Sequence, residues 1–469
     1  MPRLVSLSVL SLLAIGLACS AQAQTPQPTA DASWLFSDEP LLPGLKNQDF
    51  IEGWKYSAGA ELRHRHMDER NRLRPLGATR RNIYELSRFT PWAELKHENV
   101  TLYVQGIDSE SFSEDLPVLP VDVNRFDLLQ YYADINLFDF DNNGQLRLKV
   151  GRQFLVYGSQ HLVSNLGWSN TFRNFEGVKG TYNDEAISID AFWTKPVNGA
   201  ASARQFHPYS RDELDSSQTF SGVYATLKQA PGGTLDLYWL WLYEEDDLAN
   251  RLDGNRHTIG SRYAGKLPLA DKSLALTWDV EGAYQFGRDN VGPGPAKDVS
   301  AGFFSSLTGL AFNDLLWTPT VSALAFWSSG DRDPTDDVNQ TFSTLFPLGH
   351  AYWGQIDNFS GSNLLDVGPQ LSVKPHEKLT LATQYHFFHK SESSDFVWNV
   401  AGAPLGNLTT NNRDLGQELD LVATLQMNKN LQVQAGYFWF WYGDAVSGNA
   451  GIPATGDAQQ FYLMTTWAF

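Results

Sequence analysis

The chain has 469 residues, a net charge of −18 and one cysteine, Cys19. The negative balance argues against a general nucleic-acid binder, whose affinity comes from phosphate neutralisation by Lys and Arg. A single cysteine excludes a disulfide framework and a cysteine-ligated metal site.

At the N-terminus Arg3, an apolar run from Leu7 to Cys19, and Ala21-Gln22-Ala23 form a secretory signal cleaved before Gln24. Lipid attachment at Cys19 is set aside, because Gly16-Leu17-Ala18 fits the required box poorly. The run is too short for a hydrocarbon core of roughly 30 Å, and no later stretch approaches the ~20 consecutive apolar residues of a spanning helix. Residues 24–50 carry Pro26, Pro28, Pro40 and Pro43 without strand alternation, and read as a periplasmic tail or a short plug. From 51 to 469 no linker or composition shift divides the chain, so one large closed unit is expected.

That unit reads as strands, because apolar and polar residues alternate with period two. Leu276, Trp278, Val280, Tyr284 and Phe286 alternate with Thr277, Asp279, Glu281 and Gln285 in the run that opens at Leu274. Leu419, Leu421, Ala423 and Leu425 alternate with Glu418, Asp420, Thr424 and Gln426, and Leu431, Val433, Ala435, Tyr437 and Trp439 with Gln432, Gln434 and Gly436. Similar runs begin near Tyr56, Ile83, Thr101, Leu128, Gln145, Val178, Ala186, Phe220, Leu235, Asn255, Ala301, Pro319, Asp366 and Leu379. The last segment places Phe461, Leu463, Thr465, Trp467 and Phe469 on one face. About eighteen strands result, with sixteen as the alternative. An even number with one lipid-facing and one lumen-facing side describes an all-β, single closed antiparallel transmembrane barrel. An exposed apolar final strand is an aggregation edge in a soluble protein, whereas in a barrel it pairs with the first strand. Trp467 and Phe469 in this register resemble the C-terminal signal read by the barrel-assembly machinery. Acidic clusters such as Glu244 to Asp247 and Asp331 to Asp337 lie between strand runs and read as solvated loops.

Taking Trp467 and Phe469 as lipid-facing sorts the charged residues. Between Leu62 and Arg88 stand eight Arg (63, 65, 70, 72, 74, 80, 81 and 88) against Asp68, Glu69 and Glu85. Glu61, Arg63 and Arg65 share a face opposite Ala58, Ala60 and Leu62, which directs them into the lumen, and Arg88 joins the set as a candidate. Arg70, Arg72, Arg74, Arg80 and Arg81 read as a loop at one mouth, with a solvated basic loop as the plain alternative. Arg147 and Lys149 alternate with Leu146, Leu148 and Val150, and Arg256 and Arg262 share parity on a strand bearing Ile259 and Tyr263. Charge facing the bilayer midplane costs ~2 to 4 kcal/mol for Arg or Lys, which favours the inward sorting. Lumen acids Asp134, Asp279 and Glu281 are expected to pair with these arginines, either tuning the pore or packing its wall. Arg152 breaks the parity after Gly151, where a bulge could re-aim it.

The segment GRQFLVYGSQHLVSNLGWSNTFRNFEGVKG from Gly151 resembles the signature region of the alginate export family of outer-membrane barrels. DLLQYYADINLF from Asp127, SSGDRDPTDD from Ser328 and TFSTLFPLGHAYWGQIDNFSGSNLLDV from Thr341 agree in order. The resemblance implies an eighteen-stranded, largely monomeric channel passing an anionic polysaccharide through a constriction lined by basic side chains, with Arg152 and Arg173 as further lumen candidates. His161 departs from it, standing where similar sequences often carry Arg. Arginine suits the task, because its planar fork engages carboxylates and stays charged. No cofactor or metal is implied: His64 and His66 share a face without further ligands, and His386 and His389 are no better. Neither G-x-S-x-G, H-E-x-x-H nor a P-loop occurs.

The functional expectation is a passive conduit for an anionic polysaccharide or oligosaccharide. A porin for small carboxylates, an outer-membrane barrel enzyme and a sealed scaffold barrel are the alternatives. Expected partners are outer-membrane lipid and lipopolysaccharide, the assembly machinery and periplasmic secretion proteins, with no nucleic acid.

Overall fold

Eighteen long strands follow one another around one closed antiparallel sheet in the computed structural model, which describes residues 45–74, 81–141, 143–198, 211–245, 254–269, 272–289, 296–408, 412–454 and 456–469. The signal segment 1–23, residues 24–44 of the N-terminal segment, Arg80, Asp246 and Asp247 lie outside the described residues. The first six strands are β1 (Trp54–Arg70), β2 (Asn82–Lys96), β3 (Val100–Phe112), β4 (Asn124–Asp139), β5 (Gln145–Gln153) and β6 (Phe175–Asn183). Then come β7 (Ile187–Asn198), β8 (Gln218–Ala230), β9 (Gly233–Glu244), β10 (Gly254–Leu269), β11 (Leu274–Asp289) and β12 (Lys297–Phe312). The last are β13 (Thr320–Ser328), β14 (Leu364–His376), β15 (Leu379–Lys390), β16 (Asp414–Gln426), β17 (Leu431–Tyr442) and β18 (Ala458–Ala468). Each expected run starts within five residues of one of these strands.

Closure comes from β18 against β1, in register from Glu61↔Ala468 to Arg70↔Gln459. Phe469 continues it, donating its N–H to Ala60 O at 3.0 Å. Among the described residues this pairing leaves neither β1 nor β18 as an open edge. Among the described residues no helix is long and apolar enough to cross a membrane.

Connections alternate in length. One rim carries short turns such as 97–99, 184–186 and 377–378; the other carries 154–174, 329–363 and 391–413. Both ends of the barrel lie at the short-turn rim, as an even strand number requires.

Alternation sorts the side chains. Leu62, Phe89, Val104, Val150, Trp239, Ile259, Tyr284 and Leu463 are 39–47 % exposed on the outer face, while Arg63, Arg65, Met67 and Glu69 on the opposite parity of β1 are 1–4 % exposed. A polar lumen was expected, yet toward the long-loop rim the inward positions are strongly aromatic. Phe220, Phe326, Phe388, Phe438 and Phe440 are all within 1 % of full burial. They are covered from within the barrel, because loops 154–174 and 329–363 turn into the lumen. Phe346 packs on Phe175 and Phe220, Trp353 on Phe326, and Phe359 on Phe388 and Phe440. Each such side chain contributes about 1.5–3 kcal/mol when removed from water, so the loops and the wall form one core.

Small residues on neighbouring strands make room for the inward rings. A Cβ at Gly260 would come within 2.5 Å of the Tyr238 ring, and one at Gly59 within 2.9 Å of Trp92. Bare backbone at these places lets an aromatic lie across the next strand.

Candidate functional site

The basic cluster forms where β1 and β2 meet. Arg63 lies directly opposite Arg88 in the ladder and Arg65 opposite Leu86, all on the inward parity. Like charges across a strand pair repel, so something must hold them. Loop 154–174 does so with backbone carbonyls. Arg63 donates to Gly167 O at 3.0 Å and to Ser169 O, Arg65 to Trp168 O at 3.0 Å, and Arg88 to Gly167 O at 3.2 Å and Ser169 O at 2.9 Å. The Arg65 guanidinium lies 4.1 Å from the Trp168 ring centroid. Only Arg88 of the three has a carboxylate partner among the described residues, Glu61 at 2.7 Å. Arg63 Nε, Arg65 Nε and Nη1, and Arg88 Nε are buried without acceptors. The cluster therefore holds surplus positive charge and unused donors inside the barrel.

A second cluster, which sequence reasoning did not select, faces inward from β14, β15 and β16. His386 Nδ1 is 2.7 Å from Asp366, and its Nε2 is 3.6 Å from Asp420. Glu418 and Asp420 share that face and are capped by loop 329–363, through Ile356 N–H to Glu418 at 2.8 Å and Gln355 N–H to Asp420 at 3.4 Å. The signal was present, because Glu418 and Asp420 alternate with Leu419 and Leu421. What was lacking was any local sign that a loop amide arrives there.

The two loops join across the lumen. Ser164 N–H donates to Phe346 O at 2.8 Å, Phe346 N–H to Leu162 O at 2.9 Å, and the Trp168 and His350 rings stack at 3.7 Å. Arg173 belongs to this junction. It donates to Pro347 O at 3.1 Å and Ser164 O at 3.4 Å, and burial lowers its guanidinium to about 10.

Toward the short-turn rim the inward wall is charged and only partly buried. Arg147 pairs with Asp134 at 2.9 Å, with Lys149 at 3.7 Å from the same acid. Lys179 pairs with Asp190 at 3.0 Å, and Arg262 with Asp236 at 3.0 Å and Asp279 at 2.8 Å. Nearer the long-loop rim, buried Arg256 is tied to Asp289 and to Gln285 at 2.8 Å.

Three expectations require correction. Glu281 does not pair with an arginine: it takes His161 at 2.7 Å and the Tyr238 hydroxyl at 2.9 Å, because Arg262 is occupied by Asp236 and Asp279. Arg152 is not aimed into the lumen; it keeps the parity of outward Val150 and is buried beside Glu176 and Tyr131, donating to Asp212 O at 3.2 Å. Gly151 at φ 127° does not reverse its side. Arg72 and Arg74 lie in the loop after β1, and for them the alternative of a solvated basic loop fails. They are 9 % and 3 % exposed and both engage Glu69, while Arg74 also reaches Glu114 at 3.1 Å. Exposed Arg81 pairs with Asp68 at 2.7 Å, and Arg70 is exposed. His64 and His66 sit on the outer face against Glu85, at 3.1 and 2.6 Å. Among the described residues no group of three or more His, Cys, Asp or Glu is arranged to hold a metal ion.

Asp122, in loop 113–123, borders the basic cluster through its carbonyl, which accepts from Asn170 Nδ2 at 2.9 Å. Burial, with Glu114 next, raises its carboxyl from 3.8 to about 7.

A closed eighteen-strand barrel with an apolar outer belt, a charged lumen and inward-folded long loops is an outer-membrane channel. The chain belongs to the alginate export family, whose sequence pattern it matches over residues 55–457. No curated protein matches the sequence. Among solved structures it is similar to the outer membrane protein OprD of Pseudomonas aeruginosa, with 14 % identity, 91 % of this chain and 95 % of that chain covered, and a TM-score of 0.55. OccK5 (OpdH) of the same organism gives 12 %, 88 %, 98 % and 0.55, and OccD3 (OpdP) 13 %, 90 %, 92 % and 0.56. At such identities the likeness is one of fold. Family and fold are those of transport channels, and the short-turn rim is the periplasmic one.

Proposed function

We propose that this channel passes an anionic polysaccharide or oligosaccharide of the uronate type by passive diffusion. The observation that carries the reading is the surplus charge at Arg63, Arg65 and Arg88, with buried N–H groups that lack acceptors. A carboxylate entering the lumen loses hydration, and guanidinium donors replace part of it. The Gly167, Trp168 and Ser169 carbonyls occupy the other guanidinium donors in the resting barrel, so a passing anion exchanges with them. Several weak ion-paired sites toward the periplasm, at Arg147, Lys149, Lys179 and Arg262, then hold the chain without trapping it. The barrel works as a monomer surrounded by lipid and lipopolysaccharide, assembled through the Trp467–Phe469 strand after removal of the signal.

Small carboxylates are the second reading, favoured by the junction of loops 154–174 and 329–363 across the lumen. Planar-bilayer recording separates the two. Anion selectivity and current block by oligouronates, at concentrations about tenfold below those needed for a monomeric uronate, support the polymer reading. Equal block by both supports small carboxylates. A cation-selective pore indifferent to either, before and after Arg63→Gln and Arg65→Gln, removes the anion-conduit reading.

A further inference from the structure

On the periplasmic half of the lumen, β2, β3 and β4 each direct one aromatic side chain inward. Trp92, Tyr103 and Tyr132 form a ladder, with centroids 6.1 Å apart at 21° and then 5.0 Å apart at 19°. Its two ends are capped by cations: Lys46 Nζ lies 4.1 Å from the Trp92 centroid and Lys149 Nζ 4.2 Å from that of Tyr132. The surrounding inward positions are polar, including Glu94, Gln105, Gln130, Asp134 and Arg147. The rings are only partly buried. Among the described residues no hydrogen-bond partner lies on the Tyr103 or Tyr132 hydroxyl or on the Trp92 indole N–H, unlike Gln105 and Gln130, which bond each other at 2.8 Å. Lys149 also keeps donor capacity, because Asp134 sits 3.7 Å from it and is engaged by Arg147 at 2.9 Å.

Wall packing alone does not account for this pattern. Inward rings nearer the long-loop rim, such as Phe220 and Phe326, are buried against the infolded loops, whereas these three are not. Here three rings face water in a polar lumen with free donors at their edges and an ammonium at each end. The faces of the three rings are taken up by one another and by the two lysines, so a pyranose residue is held through its hydroxyls on the unpartnered phenols and indole N–H and through its carboxylate on the lysine.

We propose that Trp92, Tyr103, Tyr132 and the flanking Lys46 and Lys149 form a saccharide-binding subsite that takes uronate residues of the transported chain on the periplasmic side of the arginine cluster. This rests on the anionic-saccharide reading above and deepens it.

The test is current block of the full channel in planar bilayers, with oligouronate added from the periplasmic side and citrate as a non-sugar carboxylate. The combined Trp92→Leu, Tyr103→Leu and Tyr132→Leu variant is expected to raise the half-blocking concentration of the oligouronate tenfold or more and to leave that of citrate within twofold. Tyr103→Phe with Tyr132→Phe keeps the stack and removes only the hydroxyls, so the barrel stays intact and a loss of about threefold for the oligouronate is expected. Unchanged oligouronate block in the Phe variant, together with unchanged block in any Leu variant that folds, overturns the subsite while the conduit stands. If the wild-type channel is not blocked by oligouronate at all, the saccharide reading itself falls, and the subsite with it.

Discussion

The two halves of the lumen are built on different principles. Toward the extracellular rim the wall is part of a dry core, in which Phe220, Phe326, Phe388 and Phe440 pack under two infolded loops and charged groups such as Glu69, Arg63 and Arg65 are almost fully buried. Toward the periplasm the same alternation presents partly exposed ion pairs, Arg147–Asp134, Lys179–Asp190 and Arg262–Asp279. One period-two pattern thus serves a plug-bearing constriction and a wet vestibule. The difference comes from what the loops cover, and it predicts unequal responses to mutation.

The loop contrast gives the largest expected effect. Replacing residues 164–170 by a short Gly-Ser linker withdraws the backbone carbonyls from Arg63, Arg65 and Arg88, and single-channel conductance should rise severalfold with stronger anion selectivity. Unchanged conductance would show that this loop does not set the constriction.

Within the dry half, Glu69→Ala takes from Arg72 its close carboxylate and leaves Arg74 with Glu114 alone, and breaking a buried ion pair costs about 3–5 kcal/mol. Unfolding in urea, followed by the mobility shift of the heat-modified barrel, should report that loss.

A smaller effect is expected from Asp122, whose folded pKa near 7 lies above its ordinary 3.8. Its contribution to stability is fully present below about pH 4 and is lost as pH rises through about 7, because the ionised form is the disfavoured one. Asp122→Asn should therefore flatten the pH dependence of stability between about pH 4 and about pH 7, the window set by the two pKa values, above which the wild-type loss is complete.

Smallest is Asp134→Asn in the wet half. Partly exposed pairs are worth roughly 0–1 kcal/mol, so stability should barely move. The reversal potential should shift toward anions, and raising salt should erase the shift, as screening requires.

Strand positions were legible in the sequence because period-two alternation is a local property, and every run from Tyr56 to Phe461 falls at a strand. The inward direction of Arg63 and Arg65 followed from the same count. Arg152 was not legible: whether Gly151 turns the chain over depends on backbone angles that side-chain parity does not report. The inward phenylalanines at 438 and 440 escaped for a related reason, since an aromatic on a lumen face resembles an error in parity until a loop is known to cover it.

Amino-acid order by itself determined the closed barrel, its approximate strand count, the family and the side of the wall on which most charges lie, because each depends on neighbours one or two residues apart or on an ordered set of motifs. Tertiary structure decided which charges are free. Arg63 meets the carbonyl of Gly167 and Glu418 meets the amide of Ile356, contacts across 104 and 62 positions of chain. Such contacts form only when the loops enter the lumen, and loop entry is settled by the packing of Phe346, Trp353 and Phe359 against the wall rather than by any local pattern.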